Sequence, residues 1–116
     1  MRIISGIYKG RVLSRMPSQG TRPTQARVRK SMLQILEPFN KKKVLDLFSG
    51  SGILGIEAMS RGADNLISVE NNKKIFKILN NNLAKICRDK DCKTVLMDAI
   101  NFLNECNQKF DIIIAD

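Results

Sequence analysis

Four acidic residues stand where buried strands of this chain are predicted to end. They are Asp46, Glu70, Asp98 and Asp116. The carboxyl ends of neighbouring parallel strands lie along one edge of a sheet, where ligands bind. Any one of these acids could be an ordinary exposed charge at the start of a loop. Four of them in one series of strands predict an acidic rim that attracts a cationic ligand.

A glycine-rich turn follows the first of these acids, in the sequence VLDLFSGSG at residues 44–52. Gly50 and Gly52 let the backbone pass close to a ligand, and the helix that follows offers free N–H groups at its start. With Gly55 they satisfy G-x-G-x-x-G, which alone is a weak indicator of nucleotide binding. Glu70 closes the next strand, where a carboxylate accepts hydrogen bonds from ribose hydroxyls.

Asp46 distinguishes between two candidate ligands. A carboxylate so close to the glycines would repel the pyrophosphate of NAD, but it would attract the ammonium group of an amino acid. S-Adenosylmethionine carries a sulfonium, an ammonium group and a ribose, so it fits the acidic rim better than NAD. The sequence has no His, and its three Cys have neither disulfide nor zinc spacing, so we expect no metal and no imidazole chemistry.

The elements that must position these residues alternate between strand and helix after Val44. Strands are predicted at residues 43–47, 66–69, 94–97 and 110–115, and helices at residues 52–60, 73–86 and 100–106. Successive βα units imply a parallel sheet with right-handed crossovers and helices on its faces. The predicted fold class is therefore α/β, with a Rossmann-like sheet of about four strands.

The first part of the chain has a different pattern. Two β-prone stretches at residues 2–5 and 7–13 predict a small hairpin. After a polar loop, apolar residues at helical spacing predict a helix from Gln25, with Thr24 as its N-cap and Pro38 at its end.

Charge is divided unevenly along the chain, whose net charge is +9. Residues 1–43 hold eleven Lys or Arg against one acid, whereas residues 44–116 hold nine against ten. Clustered basic residues gain affinity for a polyanion by releasing counterions from its phosphates. A merely solvated basic surface would show the same excess. We divide the chain into a basic extension at residues 1–43, expected to contact a polyanion, and a cofactor-binding core at residues 44–116.

Three segments together resemble one family. They are RIISGIYKGRVL near the start, TRPTQARVRKSMLQIL at residues 21–36 and DLFSGSGILGIEAMSRGA at residues 46–63. They are similar to the class I S-adenosylmethionine-dependent methyltransferases, and more narrowly to the RsmD-type family, which methylates the exocyclic N2 of a guanine in bacterial 16S ribosomal RNA. The resemblance runs over residues 1–116. It implies a Rossmann-like class I methyltransferase sheet, S-adenosylmethionine as cofactor, and ribosomal RNA or a small-subunit ribosomal particle as cytoplasmic partner.

The resemblance also guides the assignment of single residues. Cofactor contacts are assigned to Asp46, Leu47, Ser49, Gly50, Gly52, Glu70, Asn71, Asp98 and Ala99. RNA contacts are assigned to Arg11, Arg22, Thr24, Arg27, Arg29 and Lys30. Asp116 matches the first letter of the family's catalytic motif Asp-Pro-Pro-Tyr, in which the acid and a proline carbonyl accept the hydrogens of the guanine amine. The later letters are absent from these 116 residues, so we expect this chain alone to be inactive.

Two other functions remain open on the sequence. A nicotinamide-dependent oxidoreductase would explain the glycines and Glu70, but neither Asp46 nor the basic extension. A non-catalytic RNA-binding module would explain the basic excess of residues 1–43, but it would give no reason for the four acids at the strand ends. No apolar run is long enough to cross a bilayer, so no membrane contact is expected. The apolar strand at residues 110–115 would form an exposed sheet edge, which predicts either self-association or marginal stability as a monomer.

Overall fold

The computed structural model describes residues 1–15 and 26–116. Within these ranges the elements are α1 (Ala26–Leu36), β1 (Lys43–Leu47), α2 (Ile53–Ser60), β2 (Asn65–Glu70), α3 (Lys73–Ile86), β3 (Asp91–Leu96), α4 (Ala99–Glu105) and β4 (Ile112–Ala115). The strands form one parallel sheet in the order β3-β2-β1-β4. The predicted α/β class, with a parallel sheet of four strands, is confirmed.

The side chains of β1, near the centre of the sheet, alternate between its two faces. Val44 belongs to the core shared with α2 and α3, whereas Leu45 and Leu47 belong to a second core on the face that α4 covers. Asp46, two residues after Val44, lies on the same face of the sheet as Val44, and its Oδ2 lies beside Gly55 of α2. A carboxyl group is therefore placed inside a buried face of the sheet.

All eight residues of α2 are buried. A helix that is apolar around most of its circumference is expected to be enclosed on all sides, and only Glu57 and Ser60 interrupt the apolar pattern here. A Cβ at Gly55 would lie 2.9 Å from both terminal carbons of Leu66. The glycine therefore lets α2 sit directly against β2.

The first fifteen residues pack against α2 and α3 and share their core. The buried apolar side chains of this segment are Ile3, Tyr8 and Leu13. The predicted hairpin is reduced to one antiparallel bridge, between Arg2 and Val12. The rest of the turn is held by isolated backbone hydrogen bonds, such as the one from the Ile3 N–H to the Arg11 carbonyl oxygen at 2.9 Å.

The end of α2 anchors this N-terminal segment. The Ile7 N–H donates to the Ser60 carbonyl oxygen and the Tyr8 N–H to Ser60 Oγ, both at 2.9 Å. Ser60 Oγ in turn donates to the Ser5 carbonyl oxygen at 2.5 Å. Gly6 has a φ of +89°, and a Cβ there would lie 2.0 Å from the Ser60 carbonyl oxygen, so only glycine fits. The segment therefore folds as part of the core.

Two predicted strand starts are wrong. β3 begins at Asp91 rather than at residue 94, because its pairing with Asn65 extends into residues without an apolar pattern. β4 begins at Ile112 rather than at residue 110: the Asp111 N–H still donates to the Lys43 carbonyl oxygen at 2.9 Å, but the Lys43 N–H donates to the Asp111 carboxylate at 2.8 Å and not to a backbone carbonyl. The expected N-cap Thr24 lies outside the described residues. Among those described, no helix has the length and apolarity needed to span a membrane.

Candidate functional site

The turn between β1 and α2 is fastened to the carboxyl edge of the sheet. The Ser49 N–H donates to the Val69 carbonyl oxygen at 2.9 Å, and Ser49 Oγ donates to the Asp46 carbonyl oxygen at 2.6 Å. Phe48 and Gly50 have φ values of 56° and 58°. A non-glycine residue in this left-handed region costs about 1–2 kcal/mol. The turn therefore holds Phe48 in a strained conformation, with its ring 60% exposed.

Gly52 ends this turn and forms the N-cap of α2. Its φ of +90° favours glycine, and a Cβ there would lie 2.7 Å from Leu79 Cδ1 of α3. The Gly52 N–H donates back to the Ser49 carbonyl oxygen at 2.9 Å. The glycine thus allows both the tight turn and the close contact between the turn and α3.

Glu70 closes β2 beside the glycine turn. One of its carboxylate oxygens accepts the Gly50 N–H at 2.9 Å, and the other accepts the Asn72 N–H at 3.1 Å. Each oxygen keeps a further lone pair, so Glu70 can hold the turn and still accept hydrogen bonds from the hydroxyls of a sugar. Asn72 in turn caps α3, where its Oδ1 accepts the Lys74 and Ile75 N–H groups at 3.0 and 3.1 Å.

Asp46 is a deeply buried carboxyl group that lacks a full set of partners. The residue is 1% exposed, and no described residue makes a hydrogen bond of normal geometry to its Oδ2. Burial raises the pKa of Asp46 to about 7; Ser49 and Gly55 oppose the rise, and the charges of Asp116 and Glu70 add to it. Leaving such a group without a donor is costly. The site is therefore suited to a ligand that brings an ammonium group.

A small pocket adjoins Glu70 at the same edge. It is lined by Phe48, Val69, Glu70, Asn71, Met97 and Ala99. Mostly apolar walls with a few polar groups are common in small-molecule sites, but this depression has a volume of only about 20 Å³, so a ring could rest against it and not inside it. The structure thus brings Asn71 and Ala99, two of the predicted cofactor residues, to the pocket beside Glu70.

Two other predicted cofactor residues also make contacts within the chain. Asp98 caps α4, where its Oδ2 accepts the Asn101 N–H at 3.1 Å, and it does not line the pocket. The Leu47 side chain is buried in the core beneath α4, which leaves only its backbone at the edge. Asp116 directly follows β4, close enough to Asp46 for its charge to act on that carboxyl. The described residues hold no cluster of three or more metal-ligating side chains.

The basic residues predicted to contact RNA are placed in different ways. Those exposed on the surface are Arg11, Arg27 and Lys30. Arg29 is 4% exposed and donates to the Arg2 carbonyl oxygen at 3.3 Å, so it presents little surface to a phosphate. Arg22 and Thr24 lie outside the described residues.

Asn82, a buried residue of α3, makes hydrogen bonds that support the glycine turn, and it was not predicted from the sequence. Its Nδ2 donates to the Ser51 carbonyl oxygen at 2.8 Å and to the Ser14 carbonyl oxygen at 3.0 Å, while its Oδ1 accepts the Ser14 N–H at 2.9 Å. It therefore joins the glycine turn to the N-terminal segment. The available signal was an amide within the apolar stripe of the helix, between Leu79 and Leu83.

The family model described as conserved hypothetical protein 95 matches residues 1–116. The chain belongs to this family. A curated relative named Ribosomal RNA small subunit methyltransferase D, from Haemophilus influenzae, is 33% identical over 120 residues, covering 100% of this chain and 62% of that protein. Putative rRNA methyltransferase YlbH from Bacillus subtilis is 40% identical over 100 residues, covering 85% and 54%. The chain thus spans less than two thirds of the length of these relatives, and the resemblance inferred from the sequence is confirmed.

Solved structures of similar chains share the fold. The putative methyltransferase yhhF from Escherichia coli has a TM-score of 0.87 at 33% identity, covering 100% of this chain and 63% of that one. A putative RNA methyltransferase from Pyrococcus horikoshii has a TM-score of 0.73 at 25% identity, covering 90% and 54%. The fold is that of the class I methyltransferases, as predicted.

Proposed function

We propose that this chain forms the cofactor-binding and RNA-contacting part of an S-adenosylmethionine-dependent RNA methyltransferase that modifies the exocyclic N2 of a guanine in 16S ribosomal RNA. The buried carboxyl of Asp46, short of a hydrogen-bond donor at the carboxyl edge of the sheet, carries the cofactor assignment. The names of the curated relatives support ribosomal RNA as the substrate class. A protein that acts on this RNA, free or in a small-subunit particle, would work in the cytoplasm.

The residues at the sheet edge fit this cofactor group by group. S-Adenosylmethionine, when bound, supplies a methyl group activated on a sulfonium. Asp46 would accept the hydrogens of its ammonium group, and Glu70 those of its ribose hydroxyls. Gly50 would allow close approach of the backbone. The small depression lined by Asn71 and Ala99 would contact one side of the adenine.

We propose Asp116 as the catalytic residue. A guanine amine is a poor nucleophile because its lone pair is delocalised into the ring. A carboxylate that accepts the hydrogens of this amine orients the lone pair toward the sulfonium and stabilises the charge that develops on the nitrogen. The position of Asp116, directly after β4 and near Asp46, supports the role.

We assign RNA contact to residues 1–43, through the exposed Arg11, Arg27 and Lys30, and cofactor binding to residues 44–116.

We also propose self-association through residues 110–115. Within the described ranges β4 pairs with β1 alone, and Ile113 is 56% exposed, so one edge of the sheet is open to a second copy. Sedimentation equilibrium tests this; a monomer at high concentration would contradict it.

Thermal unfolding with added ligand tests the cofactor assignment. S-Adenosylhomocysteine should raise the Tm of the chain by an amount set by its concentration relative to Kd, and NAD should not. Asp46→Asn should remove most of that shift. Asp64→Asn, which changes an exposed acid outside the candidate site, is the matched control and should retain it. Stabilisation by NAD alone would favour an oxidoreductase, and a shift that survives in Asp46→Asn would disprove the role of this carboxyl.

A further inference from the structure

α3 carries a second basic surface. It is not visible when charge is counted only as two totals, for residues 1–43 and 44–116. Residues 73–90 contain six Lys or Arg and one acid, whereas the rest of residues 44–116 contains three basic residues and nine acids. α3 itself has four lysines and no Asp or Glu. The nearly neutral total of this part of the chain therefore hides a strongly positive helix.

The basic side chains of α3 share one exposed face. Lys74, Lys77 and Lys85 lie in one row on the helix, and Asn81 occupies the position between Lys77 and Lys85. Arg88, just after the end of α3, extends the row, and all five residues are exposed. The row from Lys74 to Lys85 is about 17 Å long at 1.5 Å per residue. Lysines without acidic neighbours destabilise a helix by a few tenths of a kcal/mol per like-charged pair. This row of lysines therefore does not stabilise the helix, and its composition instead suits binding to an external anionic partner.

The N-terminal segment runs along the same helix. Its contacts with α3 and the turn after it are those of Tyr8 with Asp89, Arg11 with Lys85 and Ser14 with Asn82, each at 2.9 Å. As the segment advances from residue 8 to 14, its partners move back from residue 89 to 82. The segment is therefore antiparallel to α3 and leads toward the glycine turn, which Asn82 also contacts through Ser51.

Two arginines of the segment extend the row sideways. Arg11 and Arg15 are exposed, and the contacts of Arg11 and Ser14 keep this stretch beside α3. The one acid of residues 73–90, Asp89, accepts the Tyr8 hydroxyl at 2.9 Å. The strip formed by residues 9–15 and the exposed face of α3, here called the basic track, is thus positive along its length.

We propose that the basic track binds the phosphate backbone of RNA and leads the strand to the cofactor edge of the sheet. α3 starts three residues after Glu70 closes β2, so the end of the track at Lys74 lies at that edge, and the end at Arg88 lies away from it. Positive charge at this spacing is complementary to a polyanion. The identity of that polyanion as RNA rests on the proposed function.

The test compares two double variants that lose the same charge. Lys77→Gln with Lys85→Gln alters the track, and Lys93→Gln with Lys109→Gln alters two exposed lysines outside it. Gln and Lys have similar helix propensity, and the Lys85 carbonyl remains available to Arg11. Binding of a fluorescein-labelled single-stranded RNA is followed by anisotropy over a series of salt concentrations, and S-adenosylhomocysteine binding is measured by calorimetry on the same proteins.

The track variant should bind RNA about tenfold more weakly at low salt. Its slope of log K against log salt should fall by about 1.4, because each phosphate of a single strand that a lysine neutralises adds about 0.7 to the slope. The control should stay within about twofold of the parent, and cofactor affinity should be unchanged in both. Equal RNA losses in the two variants, or none in either, would overturn the track alone. A parent chain that binds S-adenosylhomocysteine but no RNA would overturn both the track and the proposed substrate.

Discussion

The two most deeply buried carboxylates among the described residues, Asp46 and Glu57, differ in how they are satisfied. Glu57 accepts the Ile4 N–H and, at 3.3 Å, the Arg61 guanidinium, which also pairs with Glu37. No described residue makes a hydrogen bond of normal geometry to Asp46 Oδ2, and burial raises the pKa of Asp46 to about 7. The contrast shows two uses of a buried acid. Glu57, whose partners come from the chain itself, stabilises the fold. Asp46, which is short of a donor, is suited to binding a ligand.

Removing the satisfied acid should have the largest effect on stability. Glu57→Ala leaves Nε of the buried Arg61 and the Ile4 N–H without their acceptor, so the free energy of unfolding should fall by about 3–5 kcal/mol. Urea unfolding followed by circular dichroism measures it. Glu37→Ala, which removes the more exposed partner of the same arginine, should cost less than about 1 kcal/mol. Similar losses in the two variants would mean that burial of Glu57 is not the decisive property.

The unsatisfied acid should instead make the fold less stable as pH rises. Between its ordinary pKa of 3.8 and the folded value of about 7, Asp46 keeps its proton in the folded state and loses it in the unfolded state. Stability from this group is therefore full below pH 4, declines up to pH 7 and is constant above. The whole decline is at most about 4 kcal/mol at 1.36 kcal/mol per pH unit.

Asp46→Asn isolates this contribution. Urea unfolding of the parent and the variant from pH 4 to pH 8 should show a difference that grows in favour of the variant up to pH 7. A constant difference across that range would show that the carboxyl is not protonated in the folded state.

The same substitution should weaken binding of S-adenosylhomocysteine by about 1–3 kcal/mol, because the ligand's ammonium group loses a charged acceptor. Glu57→Gln, studied at a temperature where it is folded, should bind the ligand like the parent. Isothermal titration calorimetry compares the two. If both variants lose affinity equally, the distinction between a structural and a ligand-binding carboxyl fails.

A smaller effect is expected at the turn that holds the Asp46 backbone. Ser49→Ala removes the hydrogen bond to the Asp46 carbonyl oxygen, which is worth about 1 kcal/mol of unfolding free energy. Ser60→Ala removes two hydrogen bonds to the N-terminal segment and should cost more. Thermal unfolding ranks the two, and the reverse order would show that the segment contributes less than its contacts suggest.

Asp46 could be predicted from the sequence because an acid inside the apolar run of VLDL, just before glycines, is conspicuous. Glu57 carries a similar signal within ILGIEAMS, but its meaning depends on Ile4, a partner 53 residues away. Only folding brings that partner to α2. Local pattern therefore predicted the order of strands and helices and the acids at strand ends, while contacts distant in sequence were missed.

Asp98 and α3 show a second reason why the sequence pattern is incomplete. An acid after a strand can contact a ligand, cap the next helix or do both, and only the structure shows that the Asn101 N–H donates to Asp98. The lysines of α3 were visible in the sequence, but a single charge total for residues 44–116 averaged them against acids located elsewhere.

The strand order also implies a sequence of events in time. Val44 pairs with Leu66 of β2 and with Ile112 of β4, and the second contact closes a loop about three times longer, which costs about 1 kcal/mol more in chain entropy. We expect β1, α2 and β2 to assemble early and β4 to dock late. During synthesis the edge with Glu70 would then form before Asp116 reaches Asp46, so the half of the site that recognises the sugar would exist before the half proposed to act on the base.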